Sequence, residues 1–354
     1  MVSHAFAGDG ASGRSSLLAG FVRAQGLAAE YLQPLAADAS FRRYWRLVRA
    51  PGESYVVMDA PPDREPVAPF VQIGRHLHAL GFSAPRILAE DAARGFLLLE
   101  DLGDDTFTRL IAGGHDETAL YELALDCLVA LHREPAARAI ALPAYDTAAL
   151  LLEARLFTDW FAPAQCGALL SEAAIAAYEA AWADALAILS DAPLSLVLRD
   201  FHVDNILLLP SREGIARCGL LDFQDAVIGP AAYDLVSLIE DARRDIGDGL
   251  RAHLWRRYAA AFPERDNKRF GAQARVLAAQ RHVKVAGIFV RLWLRDGKPG
   301  YLAHIPRVTR LLAACLDDPA LGPVRAWLQR WLPAWQTQLA DAETLRLVSA
   351  HWRR

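Results

Sequence analysis

Leu196-Val197-Leu198-Arg199-Asp200-Phe201-His202-Val203-Asp204-Asn205-Ile206-Leu207-Leu208-Leu209, followed by Gly219-Leu220-Leu221-Asp222-Phe223-Gln224-Asp225, is the stretch that decides the fold. Asp200 is followed five positions later by Asn205, and Asp222 comes seventeen positions after that. This order suits one chemistry. A carboxylate orients and deprotonates a hydroxyl, while an amide oxygen and a second carboxylate hold Mg²⁺ against nucleotide phosphates. The apolar runs Ile206 to Leu209 and Cys218 to Leu221 read as buried strands. The three polar groups then fall on the turns around two adjacent short strands. A single Asp in a turn is ordinarily a cap or a solvated loop residue. The complete pattern D-x-x-x-x-N, strand, D-F is far more restrictive.

Around that stretch the composition is that of a large globular chain. It has 354 residues, 53% hydrophobic and 23% charged, which is enough for two domains or lobes. A formal net charge of −4 gives no reason to expect a nucleic acid or a membrane surface as partner. A nucleotide and a small polar substrate fit better, and a monomer is expected. Cys127, Cys166, Cys218 and Cys315 are widely spaced and form no C-x-x-C pair. They read as reduced thiols of a cytoplasmic protein. No signal peptide is evident at the N-terminus, and no run approaches the ~18 uninterrupted apolar residues of a membrane span. Lysine is scarce: Lys268, Lys284 and Lys298 are the only three, and arginine carries the remaining positive charge.

Residues 1–16 are polar and Gly/Ser-rich and read as a flexible tail. Gly8 to Gly13 matches G-x-G-x-x-G literally but lacks the flanking strand and helix that a dinucleotide site requires. Residues 17–32 carry a helical apolar pattern. Strands are expected over Phe41 to Val48, Ser54 to Asp59, Arg86 to Glu90 and Gly95 to Glu100, with a helix over Val67 to Leu80. After Asp105 the composition shifts to long Ala/Leu-rich helices. The expected fold class is therefore α+β, a bilobal protein-kinase-like fold. Its parts are a small β-rich nucleotide-binding lobe over 17–100 and a larger helical lobe over 101–354 that bears the catalytic loop and the substrate site. In that plan the nucleotide lies between the lobes. The segment Leu97 to Leu102 is the expected hinge, with backbone groups at Glu100 and Leu102 reading an adenine edge.

Five further segments stand out. They are Asp38-Ala39-Ser40-Phe41-Arg42-Arg43-Tyr44-Trp45-Arg46, Val57-Met58-Asp59-Ala60-Pro61-Pro62 and Leu99-Glu100-Asp101-Leu102-Gly103. The others are Asp222 to Ala226 with Gly229-Pro230 and Tyr233-Asp234-Leu235, and Arg291-Leu292-Trp293 with Arg295-Asp296-Gly297-Lys298. Through them most of the chain resembles the aminoglycoside phosphotransferase superfamily, the small-molecule branch of the kinase fold. Within it the chain resembles the bacterial anomeric N-acetylmuramate/N-acetylglucosamine kinases. The resemblance implies ATP- and Mg²⁺-dependent phosphorylation of an amino sugar at its anomeric hydroxyl, giving a sugar 1-phosphate for cell-wall recycling. By it Asp200 is the catalytic aspartate, Asn205 and Asp222 are the metal ligands, and Asp234 is a loop-positioning residue.

Two departures qualify the resemblance. Leu198 stands where these families usually place a loop-bracing histidine. Kinases of this fold also pair a Lys on the third strand with a Glu on the following helix to hold the α- and β-phosphates. Here that strand ends in Met58-Asp59, and the helix over Val67 to Leu80 contains no Glu. Positive charge must then come from arginine, which binds phosphate bidentately. Arg42 and Arg43 are the expected nucleotide-binding residues, with Arg46 set further into the strand. For the acceptor, His202 and Asp225 are candidate contacts. Arg291 and Arg295, one helical turn apart, could grip the lactyl carboxylate of N-acetylmuramate. The rival readings are a kinase of choline, homoserine or an aminoglycoside, and a pseudokinase scaffold that lacks the usual lysine.

Overall fold

The computed structural model describes residues 9–35, 41–337 and 339. In chain order its main elements begin with α1 (Asp9–Ala24), β1 (Leu32–Pro34), β2 (Arg43–Ala50), β3 (Glu53–Asp59), α2 (Ala68–Ala79), β4 (Ile87–Asp91) and β5 (Phe96–Glu100). They continue with α3 (Phe107–Ala112), α4 (Glu117–Arg133), α5 (Thr147–Leu156), α6 (Ala162–Cys166), α7 (Glu172–Leu186), β6 (Leu194–Val197), β7 (Ile206–Leu208), β8 (Cys218–Leu220) and β9 (Val227–Pro230). The last are α8 (Ala232–Ile239), α9 (Asp248–Ala261), α10 (Asn267–Leu294), α11 (Ile305–Cys315) and α12 (Gly322–Trp331).

The chain divides into two compact units. One holds residues 1–127 and 203–225, and the other holds 128–202 and 226–354. The boundary expected at residue 100 falls inside the first of these units. The segment carrying Asn205 and Asp222 joins the N-terminal unit because its strands and turns bond to that unit. The Leu220 N–H donates to the Ser83 carbonyl at 2.8 Å, and the Leu208 N–H donates to the Asp105 carbonyl at 2.9 Å.

The first unit is built on a five-stranded antiparallel sheet in the order β1-β2-β3-β5-β4. Ala50-Pro51-Gly52 makes the β2–β3 turn, with Gly52 at φ 80°. Alternation along the strands gives the sheet two different faces. Leu47, Val57, Phe96 and Leu98 bury against Leu18, Phe21 and Val22 of α1. Tyr44, Arg46, Val56 and Leu99 line a cavity on the other face.

This N-terminal helix corrects the expected flexible tail. The helix begins at Asp9, residues 9–16 included, and only residues 1–8 of that tail lie outside the described residues. Gly and Ser are weak helix formers, but packing of an apolar face outweighs propensity. Arg14 adds to it: its Nε donates to Asp59 Oδ1 at 2.6 Å, and its guanidinium lies 4.9 Å from the Phe96 ring centre. Asp59, which ends β3, thus anchors α1. The helix stops at Ala24 rather than at residue 32, and Leu32–Pro34 instead adds an edge strand that the sequence pattern did not signal.

The second unit is mostly helical. The 28-residue α10 runs through it and packs on α5, α8 and α11. At Gly287 a Cβ would lie 2.2 Å from the Leu156 carbonyl oxygen, so α10 passes close to α5 only because glycine stands there. Buried polar groups pair: Gln280 Nε2 donates to the Leu150 carbonyl at 3.0 Å, and His282 Nε2 meets Glu240 Oε2 at 2.8 Å. The segment Glu172–Asp191 is long and apolar enough to cross a membrane by length and composition. Here Tyr178 and Trp182 of α7 are buried, and Tyr178 packs edge-on against Trp327 with ring centres 4.7 Å apart, as in a core helix. β6 and β9 form a short antiparallel pair, and the chain leaves β6 directly into Leu198-Arg199-Asp200.

Candidate active site

The first unit contains a cavity of about 450 Å³. Val56, Phe70, Leu99, Leu207 and Leu221 make its apolar walls, and Asp204, Asn205 and Asp222 lie on its lining too. Of the expected hinge, Leu97 to Leu102, the residues Leu99 to Leu102 line the cavity, together with Gly103. Such a volume, mostly apolar with a few convergent polar groups, is typical of a small-molecule site. This segment is held in place by charge. Arg46 Nε lies 2.7 Å from Asp101 Oδ2, and Arg46 Nη1 lies 2.6 Å from Asp104 Oδ2. Arg46 is therefore committed to bracing the hinge. Glu100 is likewise engaged, by Arg212 at 2.6 Å and Arg86 at 3.2 Å. Its carboxylate is turned to these arginines, which leaves the backbone of this stretch as its contribution to the cavity.

Asn205 follows the loop out of Asp200 and immediately precedes β7, while Asp222 follows shortly after β8, so the β7–β8 pair brings them together. Asn205 Nδ2 donates to Asp222 Oδ2 at 3.4 Å, and Gln224 Nε2 donates to Asp222 Oδ1 at 2.6 Å. Asp222 has φ 58° and Arg199 φ 70°, and among the described residues they are the only non-glycine residues with positive φ. Strain of this kind collects at functional sites. Asp222 is held there by its neighbour: Phe223 is buried and packs at a tilt against Phe70 of α2, ring centres 4.8 Å apart. An amide oxygen and a carboxylate are hard oxygen donors, which fits Mg²⁺ once the Asn205 amide is turned to present Oδ1.

In the second unit, Asp234 on α8 is fully buried and accepts the backbone N–H groups of Leu198 at 2.6 Å and Arg199 at 2.9 Å. Burial pushes its pKa up to about 7, against the pull of these two N–H groups. Ser237 Oγ adds a bond to the Arg199 carbonyl at 3.2 Å. The loop bracing lost with a histidine at position 198 is thus supplied from α8, and Leu198 is buried as an apolar residue. Asp200 is open to solvent at its tip but densely surrounded. That surround raises its pKa, but the charges of Lys284, His202, Arg281 and Arg199 outweigh it and hold the carboxyl below the usual aspartate range.

Lys284, on α10, is fixed by Glu153 at 2.9 Å and by the Tyr233 hydroxyl at 3.3 Å. Glu153 also takes Arg199 and the Tyr145 hydroxyl. An acceptor carboxylate works only when ionised, so cations that lower its pKa extend activity toward acid. Lys284→Met is therefore expected to move the acid limb of the kcat/KM profile to higher pH and to cost more activity at pH 5 than at pH 8. A pH–rate series on both proteins measures this, and an unmoved acid limb would show that Lys284 does not act on Asp200.

Residues 32–270 match the model of the phosphotransferase enzyme family (APH). The chain belongs to this family. It is 38% identical to an N-acetylmuramate/N-acetylglucosamine kinase of Caulobacter vibrioides over 91% of this chain and 98% of that protein. It is 37% identical to a protein of the same name from Pseudomonas aeruginosa over 79% of this chain and 82% of that protein. Among solved structures it is similar to an ADP-bound aminoglycoside phosphotransferase, with a TM-score of 0.57 at 15% identity, covering 85% of this chain and 98% of that one. That likeness concerns the fold, a small antiparallel sheet joined to a largely helical part.

The remaining sequence-derived candidates of this phosphotransferase fall into place unevenly. Arg42 enters the site: its Nη1 lies 3.9 Å from Asp222 Oδ1. Arg43 does not. It is exposed and shares its sheet face with Trp45 and Leu47, which pack toward α1, because alternation turns it away from Tyr44 and Arg46. Residues 38–40 of the expected phosphate-covering loop lie outside the described residues. His202 is buried beside Arg243, with His202 Nε2 and Arg243 Nη1 3.2 Å apart, and burial lowers its pKa toward the neutral imidazole. Asp225 is exposed next to Gln224. Arg295 is exposed and paired with Asp296 at 2.7 Å. Arg291, one turn before it, is half-buried, and burial together with Arg295 pushes its pKa down. Lys284, Arg281 and Glu153 escaped the sequence reading. The one available signal was the scarcity of lysine, which marks Lys284 as unusual in a chain that otherwise uses arginine.

Proposed function

We propose that this phosphotransferase moves the γ-phosphoryl group of ATP to the anomeric hydroxyl of N-acetylmuramate or N-acetylglucosamine, forming the sugar 1-phosphate and ADP. The observation that carries the reading is the similarity to kinases of that name along 82% to 98% of their length, in a chain that keeps Asp200, Asn205 and Asp222. Asp200 accepts the proton of the anomeric hydroxyl. The oxygen forms the new P–O bond, and the bond from the γ-phosphorus to the bridging oxygen breaks with its electron pair leaving on ADP. Asn205 and Asp222 would hold Mg²⁺, which when bound neutralises phosphate charge. The hinge backbone from Leu99 to Gly103 reads the adenine edge in the apolar cavity. All these residues come from one chain, in keeping with a monomer, and the product suits cytoplasmic recycling of cell-wall sugars.

The charges near Asp200 separate this reading from an aminoglycoside kinase. Lys284, Arg281 and Arg199 all act on that carboxylate, and a polycationic acceptor would be repelled there. An acidic sugar is favoured instead, with Arg291 and Arg295 as the proposed partners of a lactyl carboxylate. Phosphorus NMR of ATP reactions with N-acetylmuramate, N-acetylglucosamine, choline, homoserine and an aminoglycoside tests the proposal. A sugar 1-phosphate resonance is expected with the amino sugars. Phosphorylation of only the other acceptors, or none with any acceptor, would refute it.

A further inference from the structure

The first unit contains no lysine, so the usual pairing of a strand lysine with a helix glutamate cannot exist in it. A different ion pair stands beside the metal carboxylate. Arg42 enters β2, and its Nε donates to Glu65 Oε2 at 2.5 Å. The other oxygen of Glu65 accepts the Phe41 N–H at 2.9 Å. Both side chains are mostly shielded, 14% exposed for Arg42 and 18% for Glu65. Glu65 is itself fixed by a turn ahead of α2, in which its N–H donates to the Pro61 carbonyl at 2.8 Å. The Arg64 guanidinium covers the Phe41 ring at 4.6 Å and ties the same two segments together a second time. With Glu65 holding one edge of the guanidinium, Arg42 Nη1 comes to 3.9 Å from Asp222 Oδ1.

We propose that the Arg42–Glu65 pair replaces the missing lysine–glutamate pair, with Glu65 as a positioning residue that aims Arg42 at the nucleotide phosphates beside Asp222. The glutamate has moved from the helix into the turn before it, and the cation has moved from the third strand to the entry of the second. The strand lysine and the helix glutamate are both absent as expected, and the proposed pair takes their role from other positions along the chain. It also selects Arg42 over Arg43, which faces α1, and over Arg46, which is held by Asp101 and Asp104. Arginine suits the place because its fork can serve a carboxylate with one edge and phosphate oxygens with the other. Glu65 also supplies a second function at no further element: through the Phe41 N–H it pins the start of β2, where the cation must be presented.

The inference rests on the nucleotide-binding part of the proposed function but not on the identity of the acceptor. It is therefore tested by calorimetric titration of the full-length protein with ATP and Mg²⁺, without any sugar. If the wild type binds no ATP, the functional reading itself fails. Given wild-type binding, Glu65→Gln and Arg42→Ala are each expected to weaken ATP binding by about ten-fold or more, the size of a lost charge-assisted bond. Arg42→Lys should recover part of the loss. In steady-state assays KM for ATP should rise in these variants while KM for the acceptor stays constant. The double variant Arg42→Ala/Glu65→Gln should bind no worse than Arg42→Ala, because Glu65 acts through Arg42. Arg75→Ala, which breaks an exposed pair with Glu90 in the same unit, should leave ATP binding unchanged and controls for simple loss of a charge. Thermal unfolding confirms that each variant is folded. Wild-type ATP affinity in folded Glu65→Gln, or additive losses in the double variant, would overturn the assignment.

Discussion

Replacement of Asp200 by asparagine is expected to lower kcat by roughly two to four orders of magnitude, the usual contribution of a positioned proton acceptor. ATP affinity should persist, because the cavity lined by Val56, Leu99 and Leu221 and the groups at Asn205 and Asp222 belong to a different unit from Asp200. The fold should persist too. The side chain is open to solvent, and the loop is braced by Asp234 through the Leu198 and Arg199 N–H groups rather than by Asp200. Asparagine keeps the size and loses the negative charge. Steady-state kinetics with a coupled ADP assay, beside calorimetry with ATP, separates the two quantities. A variant that turned over at near wild-type rate would remove Asp200 from the chemistry.

Asp222→Ala has the second large expected effect: loss of Mg²⁺-dependent turnover to the limit of detection. The reason is local. Asp222 presents its carboxylate from a strained backbone position at φ 58°, between Asn205 and Gln224 and beside Arg42. Removing it takes one of the two oxygen donors assigned to the metal, and Mg²⁺ tolerates an incomplete oxygen set poorly. Alanine at positive φ adds backbone strain, so Asp222→Asn serves as the companion variant that keeps an oxygen and the local hydrogen bonds. It should retain measurable activity with a raised Mg²⁺ requirement. Titration of rate against Mg²⁺ reads this directly, and an unchanged Mg²⁺ dependence in either variant would exclude Asp222 as a ligand.

Several outcomes turned on the difference between local and non-local information. The strands and their turns were legible because alternation and Pro/Gly punctuation are local properties. β2, β3, β4 and β5 fall within two residues of their expected limits. The N-terminal helix was not, since Asp9–Gly13 has poor helix propensity and its stability comes from Leu18, Phe21 and Val22 meeting a sheet that lies further along the chain. Edge strand β1 was missed for a related reason. Its three residues carry no alternation of their own and are defined by pairing with β2.

By itself the sequence determined the family and nominated the residues of the proposed site. Asp200, Asn205 and Asp222 stand out through their spacing around two apolar runs, and pairing of those runs as β7 and β8 brings Asn205 to Asp222. It also determined the fold class and the absence of a conventional phosphate-binding lysine. The tertiary structure alone decided which charges meet one another. Arg42, Arg43 and Arg46 are equivalent as letters, yet one faces Asp222, one faces α1 and one holds the hinge. Glu65 and Lys284 carry no motif at all, and they matter only because folding sets them against Arg42 and beside Asp200. Electrostatic partnership depends on distance in space, falling off as charges separate and as water screens them, and that distance is a property no short stretch of sequence records.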